Sequence, residues 1–347
     1  MKPFFQVAGR VNIFLIAIAL MISACSESNS QNARVSPLAS VSQTIGEATE
    51  ITIQYSRPGV KGRTIWGDLV KYGDVWRTGA NEATAISFSQ DVVVEGQALP
   101  AGRYSFHTIP GKDSWTLIFN KQAEQWGSYN YNPEMDALRL TVTPERGAAQ
   151  EWMGFSFREL AGTSAVAVLA WDKLRVPFKI ETTQSEGKIR PSLKAGVSQT
   201  LGDSTAITVV YSRPGVKGRT IWGELVPYDQ VWRTGANENT TIAFSGDVVV
   251  EGMPLPAGTY GLQTIPGETS WVIIFSKTAD AWGSSNYDPA NDALRVEVKP
   301  HQVDSASEWF TIDVDKLIPA EDKVVRTAEV HLRWDHLAVP FTVALPQ

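Results

Sequence analysis

The chain has one cysteine, Cys25, and only four histidines in 347 residues. A single cysteine excludes an internal disulfide and multi-thiolate metal sites. The histidines are His107, His301, His331 and His336, and none is shared between the two halves described below. They form no H-x-x-x-H or H-E-x-x-H pair, which argues against a histidine metal site or a duplicated histidine triad. No G-x-S-x-G elbow is present, and no phosphate-cradling loop with Lys-Ser/Thr after its last glycine. No metal and no cofactor are expected. Basic excess is also missing. With 31 Lys and Arg against 37 Asp and Glu the net charge is −6, the wrong sign for neutralising nucleic-acid phosphates. No apolar run reaches the ~20 residues of a membrane-spanning helix. No long segment has a 3.6-residue period.

The apolar residues that are present, 43% of the chain, suffice for soluble cores. The length suggests two domains. Lys2 and Arg10 precede a short apolar run, Val11–Ile22, with the length of a secretory signal core. Ile22-Ser23-Ala24-Cys25 resembles the lipobox of bacterial lipoproteins, whose cysteine is lipid-modified and becomes the new N-terminus. Residues 1–24 are therefore expected to be a cleaved signal peptide. Their loss removes Lys2 and Arg10 and takes the net charge from −6 to −8. Residues 25–36 are expected to be a lipid-anchored flexible tether, polar and aperiodic. Ser26, rather than an aspartate, follows the cysteine, and by the lipoprotein sorting habit this points to the outer membrane.

The rest of the chain is one sequence written twice. Tyr55–Gly67 equals Tyr211–Gly223 letter for letter, and WRTGANE occurs at Trp76–Glu82 and Trp232–Glu238. DVVVEG (91–96 and 247–252) and DALR (136–139 and 292–295) keep the offset of 156, which later becomes 163 at Trp171/Trp334. The first domain is expected over 37–183, a linker over 184–191 and the second domain over 192–347. Residues 145–181 and 301–344 have diverged, sharing little beyond Glu-Trp, Trp-Asp and Val-Pro-Phe.

Each copy has strand periodicity. Trp115, Leu117 and Phe119 share one face, as do Leu138, Leu140 and Val142. Turn signals such as Glu95-Gly96 and Pro110-Gly111 recur about every ten residues. The only helical candidates are Ile65–Lys71 with Ile221–Val226, and Glu134–Ala137. The expected fold is all-β: two tandem antiparallel β-sandwiches, Ig-like or jelly-roll-like.

SRPGVKGRTIWG, VWRTGANE, LPAG followed by x-Tyr, and W-x-x-I-F-x-K together resemble the bacterial DUF2911 family. The resemblance covers both copies nearly whole. It implies an exported or lipid-anchored protein, often of Gram-negative bacteria, and carries no activity with it.

The duplicated strings supply the candidate site. Thr78-Gly79-Ala80-Asn81 has turn chemistry. An Arg77–Glu82 pair is expected across the turn, or Arg77 stacked on Trp76 or Trp66. The binding reading is a cleft with Trp66 and Trp76 as apolar floor and Arg63, Arg77, Asn81 and Glu82 as polar contacts. In the second copy these are Arg219, Trp222, Trp232, Arg233, Asn237 and Glu238. The structural alternative is a turn merely pinned by its own residues. SRPGVKGR, with Arg57, Lys61 and Arg63, is either an anion loop or a solvated turn. Trp126–Tyr131 and Trp282–Tyr287 form a possible aromatic rim. The function expected is a lipid-anchored envelope binding module for a glycan, a small polar ligand or an envelope protein. The membrane is a partner through Cys25, and nucleic acid is not a partner. The alternatives are a glycosidase-like hydrolase using Glu82 and Glu238, and a structural spacer.

Overall fold

The computed structural model describes residues 34–184 and 188–347. Cys25, the signal peptide and most of the tether lie outside the described residues. The fold is all-β, as the alternation predicts. The first copy contributes β1 (Leu38–Ile45), β2 (Thr49–Ser56), β3 (Thr84–Phe88), β4 (Val92–Val94), β5 (Gln97–Leu99), β6 (Gly102–Ile109), β7 (Trp115–Asn120), β8 (Asp136–Val142), β9 (Glu145–Arg158) and β10 (Ser164–Thr182). The second contributes β11 (Leu193–Leu201), β12 (Thr205–Arg213), β13 (Thr240–Phe244), β14 (Val248–Val250), β15 (Met253–Leu255), β16 (Gly258–Ile265), β17 (Trp271–Ser276), β18 (Asp292–Val298), β19 (His301–Pro319) and β20 (Val325–Ala344).

In each copy a six-stranded half-sheet faces a four-stranded sheet, β5-β4-β10-β9 or β15-β14-β20-β19. Side chains from both layers meet in one core. In the first copy Trp115, Leu117 and Phe119 from β7 join Phe155 from β9 and Phe178 from β10. The helical candidates are corrected. Residues 65–71 form a tight turn, in which Val70 N–H donates to Ile65 O at 2.9 Å and Trp66 bridges Val70. Glu134 lies in a single 3₁₀ turn, Pro133–Met135. Among the described residues no helix is long and apolar enough to cross a membrane.

The two six-stranded halves do not end at separate edges. β1 pairs with β11, so that one twelve-stranded sheet runs through both copies. The register is self-complementary: Val41 lies opposite Val197, Ala39 opposite Gln199, and Gln43 opposite Ala195. Val41 and Val197 occupy the same position of the repeat, so the tandem copies are related like the subunits of a two-fold dimer. The pairing satisfies the two edges that separate sandwiches would have left open.

The same symmetry governs the side chains at the seam. Arg57 donates through Nη1 to Gln199 Oε1 (2.9 Å) and Val314 O (2.7 Å), and through Nε to Met153 O (2.9 Å). Arg213 donates through Nη1 to Gln43 Oε1 (2.8 Å) and Phe157 O (3.1 Å), and through Nε to Phe310 O (3.0 Å). Both arginines are 5% exposed. The solvated-turn reading of SRPGVKGR is thus corrected at its first cation, because Arg57 is buried and ties one copy to the other. Trp152 of the first copy sits in the second copy's core and donates Nε1 to Leu317 O at 3.0 Å, while Trp309 packs on the first copy's core.

Candidate functional site

WRTGANE lies at one end of each sandwich. Trp76 pairs through its backbone with Thr108, and its Nε1 donates to Gly79 O at 3.2 Å. Thr78 and Asn81 are left-handed, with φ of 53° and 58°. A Cβ at Gly79 would lie 3.1 Å from Ser56 O and 3.2 Å from Thr84 Oγ1, so a bare backbone is needed there. Thr84 Oγ1 closes the turn by donating to Thr78 O at 2.6 Å. Much of the string is therefore turn chemistry, and it recurs because the fold recurs.

Trp66 and Trp76 are brought together, with ring centroids 5.8 Å apart. They are not an open floor. They pack edge-to-face or stacked with Trp115 and Trp171 at 5.0–6.3 Å, and half-buried they close the end of the core. Trp222, Trp232, Trp271 and Trp334 repeat the cluster.

The expected Arg77–Glu82 pair is corrected. Glu82 is held by Arg34, which donates Nη1 to Oε2 (3.0 Å) and Nη2 to Oε1 (2.5 Å). Glu238 is held by the equivalent Arg190, whose Nη2 alone donates to both oxygens at 2.9 Å, with Lys194 at 3.7 Å. Asn81 Nδ2 donates to Ser36 O (3.2 Å) and Asn237 Nδ2 to Ser192 O (3.3 Å). The segment before each first strand is thus clamped onto the string. Arg34 and Arg190 were missed because both stand outside the repeated block. Their one signal was an equal spacing of 48 residues to the glutamate. Burial pushes the Glu238 carboxyl up, but its own backbone N–H, Arg190 and Lys194 outweigh that and hold it below the usual range.

Arg77 makes no ion pair among the described residues, and its buried Nε has no partner. Its Nη1 lies 3.2 Å from where a Cβ on Gly127 would be. Arg233 sits likewise beneath Gly283 and donates to Asn237 O at 3.0 Å. Among the described residues neither lies over an aromatic ring. Arg63 and Arg219 do not join the cluster. Each folds back on its own turn, Arg63 to Gly59 O (2.6 Å) and Val60 O (3.1 Å), Arg219 to Gly215 O (2.5 Å) and Val216 O (3.1 Å).

What reaches solvent beside the string is the aromatic rim. Trp126 bridges Glu82 through its backbone and Trp282 bridges Glu238. Their side chains are 62% and 64% exposed, and Tyr129 is 82% exposed. Gly127 and Gly283, with φ of 70° and 73°, turn the chain immediately after each tryptophan. The loop is braced from beneath by a duplicated network. Tyr131 Oη donates to Asp136 at 2.7 Å and Arg139 Nε to the same oxygen at 2.7 Å. Tyr287, Asp292 and Arg295 repeat it, and burial with the Asp292 hydrogen bond pushes the Tyr287 phenol up to about 12. The recurrence of DALR was the sequence signal for this network.

Among the described residues no cluster of three His, Cys, Asp or Glu side chains is placed to hold a metal ion. No curated protein and no solved structure matches the chain. The family model described as "Protein of unknown function (DUF2911)" matches residues 36–180 and again residues 192–343. The chain belongs to the DUF2911 family and carries its domain in two tandem copies.

Proposed function

We propose that this chain is a cell-envelope binding protein, anchored by a lipid on Cys25 in the outer membrane, whose copies each take a glycan or similar polar ligand. One observation carries the reading: both copies present an exposed tryptophan, Trp126 or Trp282, at the same place in the fold. A large aromatic left in water contributes little to folding. Beside it stand an arginine and a clamped glutamate. A flat apolar face next to directed charged groups is the combination that holds a sugar ring. The hydrolase alternative is less well supported. Arg190 and Lys194 keep Glu238 ionised, whereas a general acid needs its proton near neutral pH.

The test is calorimetric titration of the two-copy chain with soluble peptidoglycan and lipopolysaccharide-core oligosaccharides. Binding at two sites per chain is expected, lost in the Trp126→Ala/Trp282→Ala double variant with an unchanged unfolding midpoint. Equal binding by parent and double variant would sink the reading.

A further inference from the structure

Beneath the seam lies a cavity of about 270 Å³ that belongs to neither copy alone. Its roof is the β1–β11 pairing, with Ser42 and Ser198. Its walls come from β9 and β10 on one side and β19 and β20 on the other. The internal symmetry fails here. Where the second copy places Thr311, Asp313 and Arg333, the first has Gly154, Ser156 and Ala170 at the equivalent positions. The small residues leave space and the polar ones furnish it. This is also the stretch over which the two copies have diverged in sequence. A seam needed only to join two domains has no use for that asymmetry.

The charges around the cavity do not balance. Three guanidiniums line it, Arg57, Arg213 and Arg333, against two carboxylates, Asp313 and Asp315. Asp313 is spent on Arg333 Nε at 2.7 Å and on His331 at 3.3 Å. Asp315 lies 3.4 Å from Arg57. Arg213, equally buried, has no carboxylate within ion-pair distance among the described residues. The position matching Asp315 holds Arg158, which is engaged with Glu145 and Glu159. Desolvation lowers the hold of Arg213 on its proton. Its Nε and Nη1 hydrogens go to the carbonyl and amide acceptors of the seam, and one Nη2 hydrogen goes to Thr311 Oγ1 at 2.8 Å. One of its five N–H groups is left over. A buried cation without a counter-charge is costly, and an anion in the adjoining space relieves that cost.

We propose that the inter-copy cavity binds one small organic carboxylate per chain, its carboxylate at Arg213 and its apolar body against Tyr55, Phe155 and Tyr211. A dry cavity of roughly 150 Å³ holds benzene, so 270 Å³ accommodates a benzoate-sized molecule. The site is distinct from the two tryptophan rims, and its stoichiometry differs.

Calorimetric titration of the two-copy chain with benzoate tests it, with benzamide as neutral isostere and inorganic phosphate as bare anion. Benzoate is expected to bind once per chain, benzamide and phosphate at least about tenfold more weakly, about 1.4 kcal/mol. Ala170→Leu fills the space without touching the seam's hydrogen bonds. It is expected to keep the parent's unfolding midpoint and weaken benzoate about tenfold or more. Arg213→Gln is expected to weaken it too, while Trp126→Ala/Trp282→Ala leaves it unchanged. No heat with benzoate, equal binding of benzoate and benzamide, equal binding of phosphate, or undiminished binding by a folded Ala170→Leu chain would each overturn the proposal.

Discussion

At the scale of single residues, two arginines from adjacent repeated strings illustrate why a charge must be placed before it is interpreted. Arg57 and Arg77 stand in equally well-matched blocks. The structure gives them opposite economies. Arg57 is buried and satisfies the carbonyls of Met153 and Val314 and the amide oxygen of Gln199. Arg77 is half-buried, has no ion pair among the described residues, and leaves its Nε without a partner. Removing Arg57 strands three buried acceptors and breaks the link between copies. Arg57→Ala is expected to cost about 3–5 kcal/mol. Arg77→Ala removes a cation that brings the fold little, and a loss within ~1 kcal/mol is expected. Urea unfolding of the two-copy chain checks both, and a larger loss for Arg77 than for Arg57 would invert this assignment.

At the scale of elements, the equivalent strands β6 and β16 differ at three buried positions, Ser105 against Gly261, Phe106 against Leu262 and His107 against Gln263, and the last exchanges a titratable group for a neutral amide. His107 sits on the polar phase of β6, covered by the rim loop, with Nε2 against Ser105 Oγ at 3.2 Å and Nδ1 without a partner. Burial pushes its imidazole down to about 4, opposed by Asp136. The unfolded chain therefore takes up this proton first as pH falls. The histidine's contribution to stability is full above pH ~6.5, declines between ~6.5 and ~4, and is then flat, a total of roughly 3 kcal/mol. His331, on β20, runs the other way. Burial lowers its pKa, but Asp313 and Glu329 outweigh this and raise it, so its contribution is complete below the unfolded pKa and is lost as pH rises. His107→Gln is expected to remove about 2 kcal/mol of the stability lost between pH 6.5 and 5. Urea midpoints at the two pH values measure it, and an unchanged pH dependence would refute the buried neutral state. The strands themselves were legible from period two, since Trp115, Leu117 and Phe119 declare a buried face without reference to anything distant. The same rule applied to Val330, Leu332 and Trp334 puts His331 on the polar phase of its strand, yet it is 3% exposed, because a neighbouring carboxylate pair, Asp313 and Glu329, lets a polar residue be covered. The Arg34–Glu82 clamp was not legible, since local turn chemistry offers Arg77 as the nearer partner. The β1–β11 pairing was not legible either. Gln43 and Ser42 look like surface residues until a second copy of the same strand lies against them.

At the scale of the whole molecule, the two-fold character of the seam makes a prediction about each half. The main contacts of the first domain with the second come in reciprocal pairs: Arg57 with Gln199 and Arg213 with Gln43, Trp152 in one core and Trp309 on the other. A surface that is complementary to its own repeat is close to complementary to itself. The first copy alone, residues 34–184, would expose β1 as an unpaired edge, with Trp152 and Arg57 stripped of their cover, and such an edge seeks another strand. It is expected to form a symmetric homodimer with Val41 facing Val41 and Arg57 reaching the partner's Gln43, measured by sedimentation equilibrium. Val41→Lys supplies the control. In that dimer it sets two like charges directly opposite each other, whereas in the two-copy chain it faces only Val197. The variant half should be monomeric and the variant two-copy chain folded. A folded half that stays monomeric with Val41 intact would show that the divergence of β9 from β19 has already made the seam depend on two different copies. The charged cavity beneath it would then be a feature that only the tandem chain can build.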